Sequence, residues 1–472
     1  MFGKDIYWYG VQAISLLESG KLHSPDNSPV FHIVAFLFRI FGVSDETLFL
    51  FQILTSVWLT VSLFLARSSF FRFPLSAINA TDPDSKADIN FSQDLQKKKL
   101  PHLFFLPSVL VFVLAFLYPK QSWALGFLIL SLGFYSPIPT KSFLFSASSP
   151  SSLSSLSLSS TFLLRIRLRW IASGVFFLFA LWFHPMVALL GLGILILHQI
   201  PEKFYPVCFS FVFLLPFFLP EDPSGRFYSD KEIFPLSAAF SLAGLGILWD
   251  WTFLVFGTSE PKFKKMRKTF AFFGFLLLLP VFHFADIQYR ILLSLILLVQ
   301  IFSKWNSFQI LVWLISTGLW IFTMFTNPYL FRYSYEKMWI PGESIASVPN
   351  NGLLVAHHGF CEYYHFQFRK DCLSFEPDTK AISELPKDTE IYRAVYGIRY
   401  ENLLASKDEN KNPFFSSIQP LGEYQLVLEK DWKRYRSWLE KRNSKLVLIA
   451  KSWKNPYKER PNFIKRKHSN DL

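Results

Sequence analysis

Long apolar runs alternate with short polar segments from about residue 47 to residue 327. A helix needs about 20 mainly apolar residues to cross the hydrocarbon core of a bilayer, so runs near this length predict membrane helices. By this measure we expect about ten of them. They cover residues 47–70, 102–118, 121–137, 170–184, 186–200, 205–220, 234–256, 269–285, 290–304 and 307–327. Because Pro185 separates the fourth run from the fifth, these two runs are also compatible with one kinked helix.

The basic residues between these runs form three clusters, which follow the first run, precede the fourth and follow the seventh. Because Lys and Arg mark the cytoplasmic side of a membrane protein, a ten-helix topology places all three clusters on that side. Residues 73–100 and 142–160 then become cytoplasmic loops, and the second, rich in Ser, Leu and Phe, is expected to be mobile. The opposite side receives the N-terminal segment, residues 118–121, His184-Pro185, residues 221–232, residues 283–290 and the C-terminal part.

The first 45 residues are polar and aromatic and precede the first of these predicted helices. Asp5 stands beside three aromatic residues, and apolar side chains then recur at helical spacing, which predicts an amphipathic helix. Its apolar positions are Val11, Ala13, Ile14 and Leu17. A loop with two Ser-Pro pairs follows, and the apolar run 30–43 after it is short and holds Arg39. We therefore predict that this segment does not cross the membrane.

The composition changes near residue 331, where polar residues become frequent. Strand-like runs at 353–356, 425–428 and 445–450 alternate with helical patterns at 360–368 and 431–442. Alternation of this kind predicts a small α/β domain outside the membrane.

Together these patterns predict an all-α polytopic membrane bundle of about ten helices with a small C-terminal extracytoplasmic α/β domain. The expected domains are residues 1–45, an extracytoplasmic loop with amphipathic helices, residues 46–330, the membrane bundle, and residues 331–472, the soluble domain. The composition agrees, since charged residues make up 18% of the chain, against roughly 25% in soluble proteins. The net charge of +13 follows from the cytoplasmic clusters, so we expect contact with membrane lipids and no nucleic-acid partner.

The three cysteines of the chain are too few for a disulfide scaffold. Cys361 and Cys372 can form one bridge if the C-terminal part faces an oxidising compartment, and two buried thiols are the alternative. Three histidines lie near them, at His357, His358 and His365, but the spacing of this group fits no common zinc site. We therefore expect no zinc site there.

The N-terminal segment resembles a known family in the order of its motifs. The acidic residue with aromatics precedes an amphipathic helix that ends in Ser19-Gly20-Lys21, and the Ser-Pro loop 24–29 follows. Next come a short apolar run closing in Phe41-Gly42-Val43-Ser44 and a membrane helix. This order is similar to the first extracytoplasmic loop of the GT-C glycosyltransferases, above all the protein mannosyltransferase and aminoarabinose transferase branch. His184-Pro185 and Tyr289-Arg290 are similar to that branch too.

The resemblance implies an enzyme of the bacterial inner membrane that moves a sugar from a polyprenyl-phosphate donor to a lipid, glycan or protein acceptor on the extracytoplasmic face. A carboxylate must deprotonate or orient the acceptor hydroxyl, and Asp5 suits that role. Cations must stabilise the leaving phosphate, and the candidates are Arg290, Lys4 and Arg226. The substrate-binding candidates are Tyr7, His23, Asp26, His283, Asp286 and Tyr289.

The chain departs from the family pattern in two places. Family members commonly carry an acidic pair in this loop, whereas Asp5 is followed by Ile6, so the resemblance fixes no cofactor and leaves a divalent cation open. The family also has a membrane helix before the loop, and we expect that helix upstream of Met1.

The candidate residues have structural interpretations as well. Asp5 is compatible with a solvated side chain, Arg290 with a helix-end anchor and Asp26 with a turn cap. Two other functions also stay open. A transporter or flippase is supported only by Asp250 inside a predicted helix, and no internal repeat accompanies it. A membrane anchor that presents the C-terminal domain for binding is the other.

Overall fold

A computed structural model describes part of each of the three predicted domains. The described residues are 2–3, 6–23, 26–71, 110–135, 155–205, 207, 265, 268–272, 285–301, 307–326, 331–332, 353–356, 358–370, 372–374, 391–396, 418–421 and 424–428. Within them the chain is mostly helical.

The helices in these residues are α1 (Ile6–Ser19), α2 (Val30–Phe41), α3 (Asp45–Phe71), α4 (Leu110–Leu117), α5 (Pro119–Phe134), α6 (Ser155–Phe183), α7 (Pro185–Gln199), α8 (Ala285–Gln300), α9 (Ser307–Thr326) and α10 (His358–Phe368). The strands are β1 (Phe2–Gly3), β2 (Phe331–Arg332), β3 (Leu353–Ala356), β4 (Cys372–Ser374), β5 (Ile391–Tyr396), β6 (Ile418–Leu421) and β7 (Tyr424–Leu428).

The amphipathic pattern of the N-terminal segment corresponds to α1. Val11, Ala13 and Ile14 are buried, but so is every residue from Tyr9 to Ile14, and the first part of α1 therefore has no exposed face. Leu17, which the pattern placed on the apolar face, is 43% exposed near the end of the helix. The apolar run after the Ser-Pro loop corresponds to α2, which has 12 residues. A helix of this length rises only about 18 Å and is too short to cross a bilayer by itself.

The helices α3 and α5 pack side by side and run in the same direction. The Trp123 indole N–H donates to the Thr55 hydroxyl (3.0 Å), and the Trp58 indole N–H donates to the Trp123 carbonyl (3.2 Å). About three turns further along, a Cβ added to Gly133 would lie 2.6 Å from the Cα of Ala66. Contact partners therefore keep an almost constant separation in sequence, as parallel helices require.

The helix α8 lies beside this pair and contacts both of its ends. Gln121, at the start of α5, donates from its amide nitrogen to the Arg290 carbonyl near the start of α8 (3.0 Å). Arg67, near the end of α3, donates to the Gln300 carbonyl at the end of α8 (3.0 Å). The starts of α3, α5 and α8 thus lie at one end of the bundle, which we call the Lys120 end. The opposite end is the Arg67 end.

The helices α6 and α7 return to the Lys120 end and leave it again. Arg169 of α6 donates to the Gly133 carbonyl at the Arg67 end (3.3 Å), and α6 then runs back to Phe183. His184 has an extended backbone (φ −157°, ψ 101°), and α7 begins with Pro185 at its first position. The alternative of one kinked helix is therefore wrong, because a fully extended residue breaks the helix and proline suits the start of the next one.

A second difference from the sequence prediction is the start of α6. Residues 142–160 were expected to form a mobile loop, but the helix already begins at Ser155. Once a helix has formed over the apolar residues that follow, each added serine costs only a fraction of a kcal/mol, about 0.5 relative to alanine. Low complexity therefore predicted the wrong local structure for the end of this segment.

Among the described residues, one helix is long and apolar enough to cross a membrane. It comprises Asp45–Ser68, 24 residues with a mean hydropathy of 2.0, and corresponds to the first predicted span. Shorter apolar helices are Val30–Phe41, Pro185–Gln199 and Arg290–Gln300. Core helices of soluble proteins can have the same length and composition, so the ten-helix topology stays a prediction. The spans expected at 205–220 and 234–256 lie almost entirely outside the described residues.

Five of the described strands of the C-terminal part form one sheet with the order β4-β3-β5-β7-β6. β3 pairs in parallel with β4 and β5, whereas β7 is antiparallel to both β5 and β6. β3 and β7 coincide with predicted strands, and α10 coincides with a predicted helix. The sequence analysis missed β4, β5 and β6, and the elements expected at 431–442 and 445–450 lie outside the described residues.

The helix α10 connects the sheet to the N-terminal segment. Cys361 of α10 and Cys372 of β4 form a disulfide, with 5.4 Å between their Cα atoms. The opposite face of α10 packs on α1, where the Tyr7 ring lies 5.2 Å from Tyr363 and 5.4 Å from Phe366. The short strands β1 and β2 add a second connection, since Gly3 pairs antiparallel with Phe331. α10 therefore packs both on the N-terminal helix α1 and on the C-terminal sheet.

Candidate anion-binding site

The first component of the candidate site is Lys120, at the second position of α5. Pro119 occupies the first position, where its missing N–H costs no hydrogen bond. The Lys120 backbone N–H donates to the Tyr9 hydroxyl of α1 (3.1 Å). Its ammonium group contacts both carboxylate oxygens of Asp26, at 2.8 Å and 2.6 Å. The start of α5 is thus held against the N-terminal segment by two contacts.

Asp26 lies in the loop between α1 and α2, and the loop is fixed on both sides of it. The Ser28 backbone N–H donates to the Asp26 carboxylate (2.9 Å), which closes an Asx turn. The Ser28 hydroxyl donates to the Phe183 carbonyl at the end of α6 (2.9 Å). Asp26 therefore caps a turn and also pairs with Lys120, so its structural and ionic roles coexist.

Arg290, near the start of α8, is the second cation at the Lys120 end. Its guanidinium carbon lies 4.2 Å from the centre of the Tyr118 ring, a cation–π distance. Tyr118 precedes α5 directly, so the stacking places Arg290 close to the helix start that carries Lys120. Gln121 fixes the backbone of α8 here, because its amide nitrogen donates to the Arg290 carbonyl and to the Ser294 hydroxyl (2.7 Å).

His184 lies near these charged groups. Lys120, Arg290 and Asp26 are each close enough for their charges to act on its imidazole. Its Nδ1 atom is buried and has no hydrogen-bond partner among the described residues. His184 stands there because the helix break between α6 and α7 falls at the Lys120 end.

These four residues, Asp26, Lys120, His184 and Arg290, are called the Lys120 cluster below. They come from four separate segments: the loop between α1 and α2 (the first loop), α5, the break between α6 and α7, and α8. Among the described side chains of this cluster, two are cationic and one is a carboxylate, and they lie near a buried imidazole nitrogen. Such a set can bind an anion with oxygen acceptors, with the lysine acting as a point charge and the arginine as a planar donor.

The remaining predicted site residues fall into three groups. Tyr7 is only 1% exposed and packs under α10, so we assign it to the core and no longer to substrate binding. His23 stacks on His365 of α10, with 6.4 Å between ring centres, and lies at the contact with the C-terminal part. Asp286 and Tyr289 belong to α8 just before Arg290, but their side chains lie outside the description. Four more candidates lie outside the described residues: Lys4, Asp5, Arg226 and His283.

Lys120 and His184 are the two residues of the cluster that the sequence analysis did not select as site residues. The pattern Tyr118-Pro119-Lys120-Gln121 was placed on the extracytoplasmic side, and a proline that opens an apolar run is a signal for a helix start. The choice of Lys120 itself required knowing that the first loop folds back onto α5. No local pattern contains that information.

Metal binding finds no support in the described part of the chain. No group of three or more His, Cys, Asp or Glu side chains there is arranged to hold an ion. Cys361 and Cys372, two residues of the histidine-rich group, are joined in the disulfide.

A comparison of the chain with protein-family models, with curated proteins and with solved structures found no match in any of the three.

Proposed function

We propose that this chain is a polytopic membrane glycosyltransferase of the GT-C type, which transfers a sugar from a polyprenyl-phosphate donor to a lipid, glycan or protein acceptor on the extracytoplasmic face. The observation that supports this proposal is the convergence of Lys120 and Arg290, two cations from different helices, at the first loop. A basic pair at one end of an apolar bundle suits a ligand with an apolar tail and an anionic headgroup.

In the proposed reaction the acceptor oxygen forms a bond to the anomeric carbon while the bond from that carbon to the phosphate oxygen breaks. The phosphate leaves with the electron pair, so negative charge grows on it in the transition state. Lys120 and Arg290 are positioned to stabilise that charge. Asp5, three positions before the Trp8-Tyr9 pair of α1, takes the proton of the acceptor hydroxyl in this scheme.

The C-terminal part supports the extracytoplasmic assignment. Disulfides persist in oxidising compartments, and the Cys361–Cys372 bridge joins β4 to α10, which packs directly on α1. We therefore place the first loop and the sheet on the same, extracytoplasmic side. Tyr363 of α10 is fully buried, and its ring packs on Tyr7 of α1. This packing favours a C-terminal part that works together with the bundle over a C-terminal part that an anchor merely presents.

The proposal is tested with the purified full chain in lipid nanodiscs. Polyprenyl-phosphate donors with radioactive hexose or aminopentose headgroups are mixed with an envelope extract from the source cells, and transfer of label to the extract is measured. We expect transfer by the wild type and a loss of at least about 100-fold in Asp5→Asn, since general-base catalysis contributes that much or more. Lys120→Gln and Arg290→Gln should raise the KM for the donor and lower kcat.

Lys268→Gln is the matched control, because Lys268 forms an ion pair with Glu202, beyond the end of α7 and away from the Lys120 end. This variant should transfer at the wild-type rate. Wild-type activity in Asp5→Asn would contradict the catalytic assignment. Donor kinetics that do not change in both Lys120→Gln and Arg290→Gln would contradict the proposed donor site.

A further inference from the structure

The helix α2 is apolar on two opposite faces, and protein covers one of them. Phe31 packs on the Trp8 ring of α1 and Phe38 on the Phe366 ring of α10, with ring centres 5.0 Å and 6.1 Å apart. Both phenylalanines of α2 are buried. This face therefore holds α2 against α1 and α10.

The other face of α2 is apolar and open. Phe36, Ile40 and Phe41 are 62%, 56% and 60% exposed, and Val43, just beyond the helix, is 39% exposed. These four residues lie within about two helical turns, and we call them the α2 patch. Clusters of large exposed apolar side chains mark surfaces that contact a protein or a membrane.

The exposed end of α1 has a different chemistry. Glu18, Ser19 and Lys21 are exposed there beside Leu17. Charged and hydroxyl side chains of this kind are the usual surface in contact with water. Water therefore explains the exposed surface of α1 but not that of α2.

The junction between α2 and α3 holds the α2 patch near the start of α3. Three residues separate the two helices, so Phe41 lies at most about 14 Å from Asp45. The Thr47 hydroxyl donates to the Gly42 carbonyl (2.9 Å), and the Thr47 backbone N–H donates to the Ser44 hydroxyl (3.3 Å). These bonds fix the turn, so the patch cannot move far from the start of α3.

The helix α3 has an open apolar stripe of its own. Val57, Val61 and Phe64 are 52%, 44% and 43% exposed and recur at helical spacing. α3 is also the described helix that is long and apolar enough to cross a membrane, and the exposed Glu46 stands in its first turn. If α3 crosses the membrane, the boundary between water and hydrocarbon falls near Glu46, at the level of the α2 patch.

We infer that the α2 patch inserts into the extracytoplasmic leaflet of the bilayer, beside the start of α3, and that its partner is lipid. The inference rests on the proposed function, because it needs α3 in a membrane and the N-terminal segment on the outer side. The patch continues the open stripe of α3 across a turn of three residues. Lipid that covers the stripe therefore also reaches the patch.

Arg39 suits this position. It is exposed on the open face of α2, between Phe36 and Ile40 in the sequence. A helix in the interface is buried about 5–10 Å deep, and an arginine there lays its stem along apolar groups while its guanidinium stays at the headgroups. The first loop directly precedes α2, whose 12 residues span about 18 Å. Insertion of the patch thus keeps the Lys120 cluster close to the surface from which a lipid-linked donor arrives.

The test is spin-label EPR on the full chain in nanodiscs of phosphatidylethanolamine and phosphatidylglycerol. Power saturation compares collisions with oxygen, which concentrates in lipid, and with a water-soluble nickel chelate. Cys208→Ser removes the third cysteine, and the bridged pair Cys361–Cys372 does not take the label. The thermal unfolding midpoint of each labelled variant is measured to show that the fold is kept.

Two labels report on the patch and two serve as controls. Phe36→Cys and Ile40→Cys carry the label on the α2 patch. Glu18→Cys, at the exposed end of α1, is the control for water, and Leu178→Cys, which is 62% exposed in α6, is the control for lipid. The ratio of oxygen to nickel collisions should be several times higher at both patch positions than at Glu18. It should be highest at Leu178, since insertion by about 5–10 Å leaves the patch shallower than the middle of the bundle.

A ratio at Phe36 and Ile40 as low as that at Glu18 would place the patch in water and overturn the inference. Few collisions with either reagent would also overturn it, because a second copy of the chain or another protein segment would then cover the patch. A low ratio at Leu178 would show that the bundle itself is not in lipid, and the proposed function fails. A high ratio at Leu178 with a low ratio at both patch positions removes only the insertion of α2.

Discussion

At the scale of single residues, two histidines connect the N-terminal loop with the C-terminal part. His23 follows α1, His365 lies in α10, and their rings stack with centres 6.4 Å apart. The His365 Nδ1–H donates to the Lys370 carbonyl (3.1 Å), which fixes that ring. Burial, and next the charge of His365, lower the pKa of His23 to about 4. A proton on His23 is thus unfavourable in the folded chain.

This pKa predicts a loss of stability in mild acid. Unfolded, His23 titrates near 6.5, so between pH 6.5 and pH 4 the unfolded chain binds more protons than the folded chain. The free energy of unfolding should therefore fall as the pH drops through this window and should not depend on His23 above about pH 7. Thermal unfolding in detergent at pH 7 and pH 5 measures the effect.

His23→Gln should lose less of its unfolding temperature between pH 7 and pH 5 than the wild type does. His32→Gln, which changes an exposed histidine of α2, is the control and should behave like the wild type. If His23→Gln and the wild type lose the same amount, the proton uptake on unfolding occurs elsewhere.

Residue types and their spacing led to Asp26 and Arg290 but could not separate them from Tyr7. All three stood in segments assigned to the extracytoplasmic side. The structure brings Asp26 and Arg290 to the Lys120 cluster and buries Tyr7 under α10, because α10 approaches from more than 350 residues further along the chain. Burial by so distant a segment leaves no trace in local sequence.

At the scale of helices, the parallel pair α3 and α5 depends on glycines without space for a side chain. A Cβ on Gly133 would lie 2.6 Å from both the Cα and the Cβ of Ala66. A Cβ on Gly126 would collide with the Trp58 indole, and that ring cannot move freely because its N–H donates to the Trp123 carbonyl. Small residues at such positions let two helix backbones approach closely.

Gly133→Ala should therefore destabilise the bundle, although alanine has the higher helix propensity. Overpacking at a backbone contact typically costs about 1–3 kcal/mol, more than the roughly 1 kcal/mol that propensity returns. Tryptophan fluorescence during thermal unfolding in detergent should show a lower midpoint. Gly174→Ala is the matched control, since nothing lies within 4 Å of a Cβ added there in α6, and it should unfold at the same temperature or higher. Equal behaviour of the two variants would contradict the close approach of α3 and α5.

The positions of the helices along the chain were the part of the structure that the sequence predicted best. The apolar runs that became α3, α5, α7 and α9 lie within a few residues of their predicted bounds, because burial or lipid contact on all sides leaves few polar positions. Two of the three missed strands have a physical reason: β4 has only three residues, and β6 contains Pro420, which strand patterns penalise. The third, β5, has six residues rich in β-branched and aromatic side chains, so its pattern was overlooked. The pairing of α3 with α5 was not predictable, since run lengths say nothing about neighbours.

At the scale of the whole molecule, the disulfide determines whether α10 can stay in place. Cys361 is 1% exposed and Cys372 is fully buried, so the bridge closes the turn between α10 and β4 from the inside. Closing a loop of about ten residues contributes roughly 2–4 kcal/mol. We expect Cys361→Ser with Cys372→Ser to lower the unfolding temperature and to expose α10 to limited proteolysis, with the cut sites identified by mass spectrometry.

Cys208→Ser provides the control, because it removes the third cysteine and leaves the bridge intact. It should resist the protease as the wild type does. Alkylation of the chain in denaturant, before and after reduction, gives an independent measurement: Cys361 should react only after reduction. Protection of α10 in the double variant equal to that in the wild type would show that packing on α1 alone holds the helix.

The strand pair at the chain start has a consequence for synthesis. Gly3 pairs with Phe331, so almost the whole sequence of the helical bundle lies between the two partners. Ribosomes add about 5–20 residues per second, and the N-terminal strand therefore waits roughly 15–60 s before its partner exists. During that time α1 also lacks α10, and its aromatic face, which Tyr363 and Phe366 later cover, is without its final neighbours. Docking of α10 on α1 is thus one of the last folding steps, although α1 is synthesised long before α10.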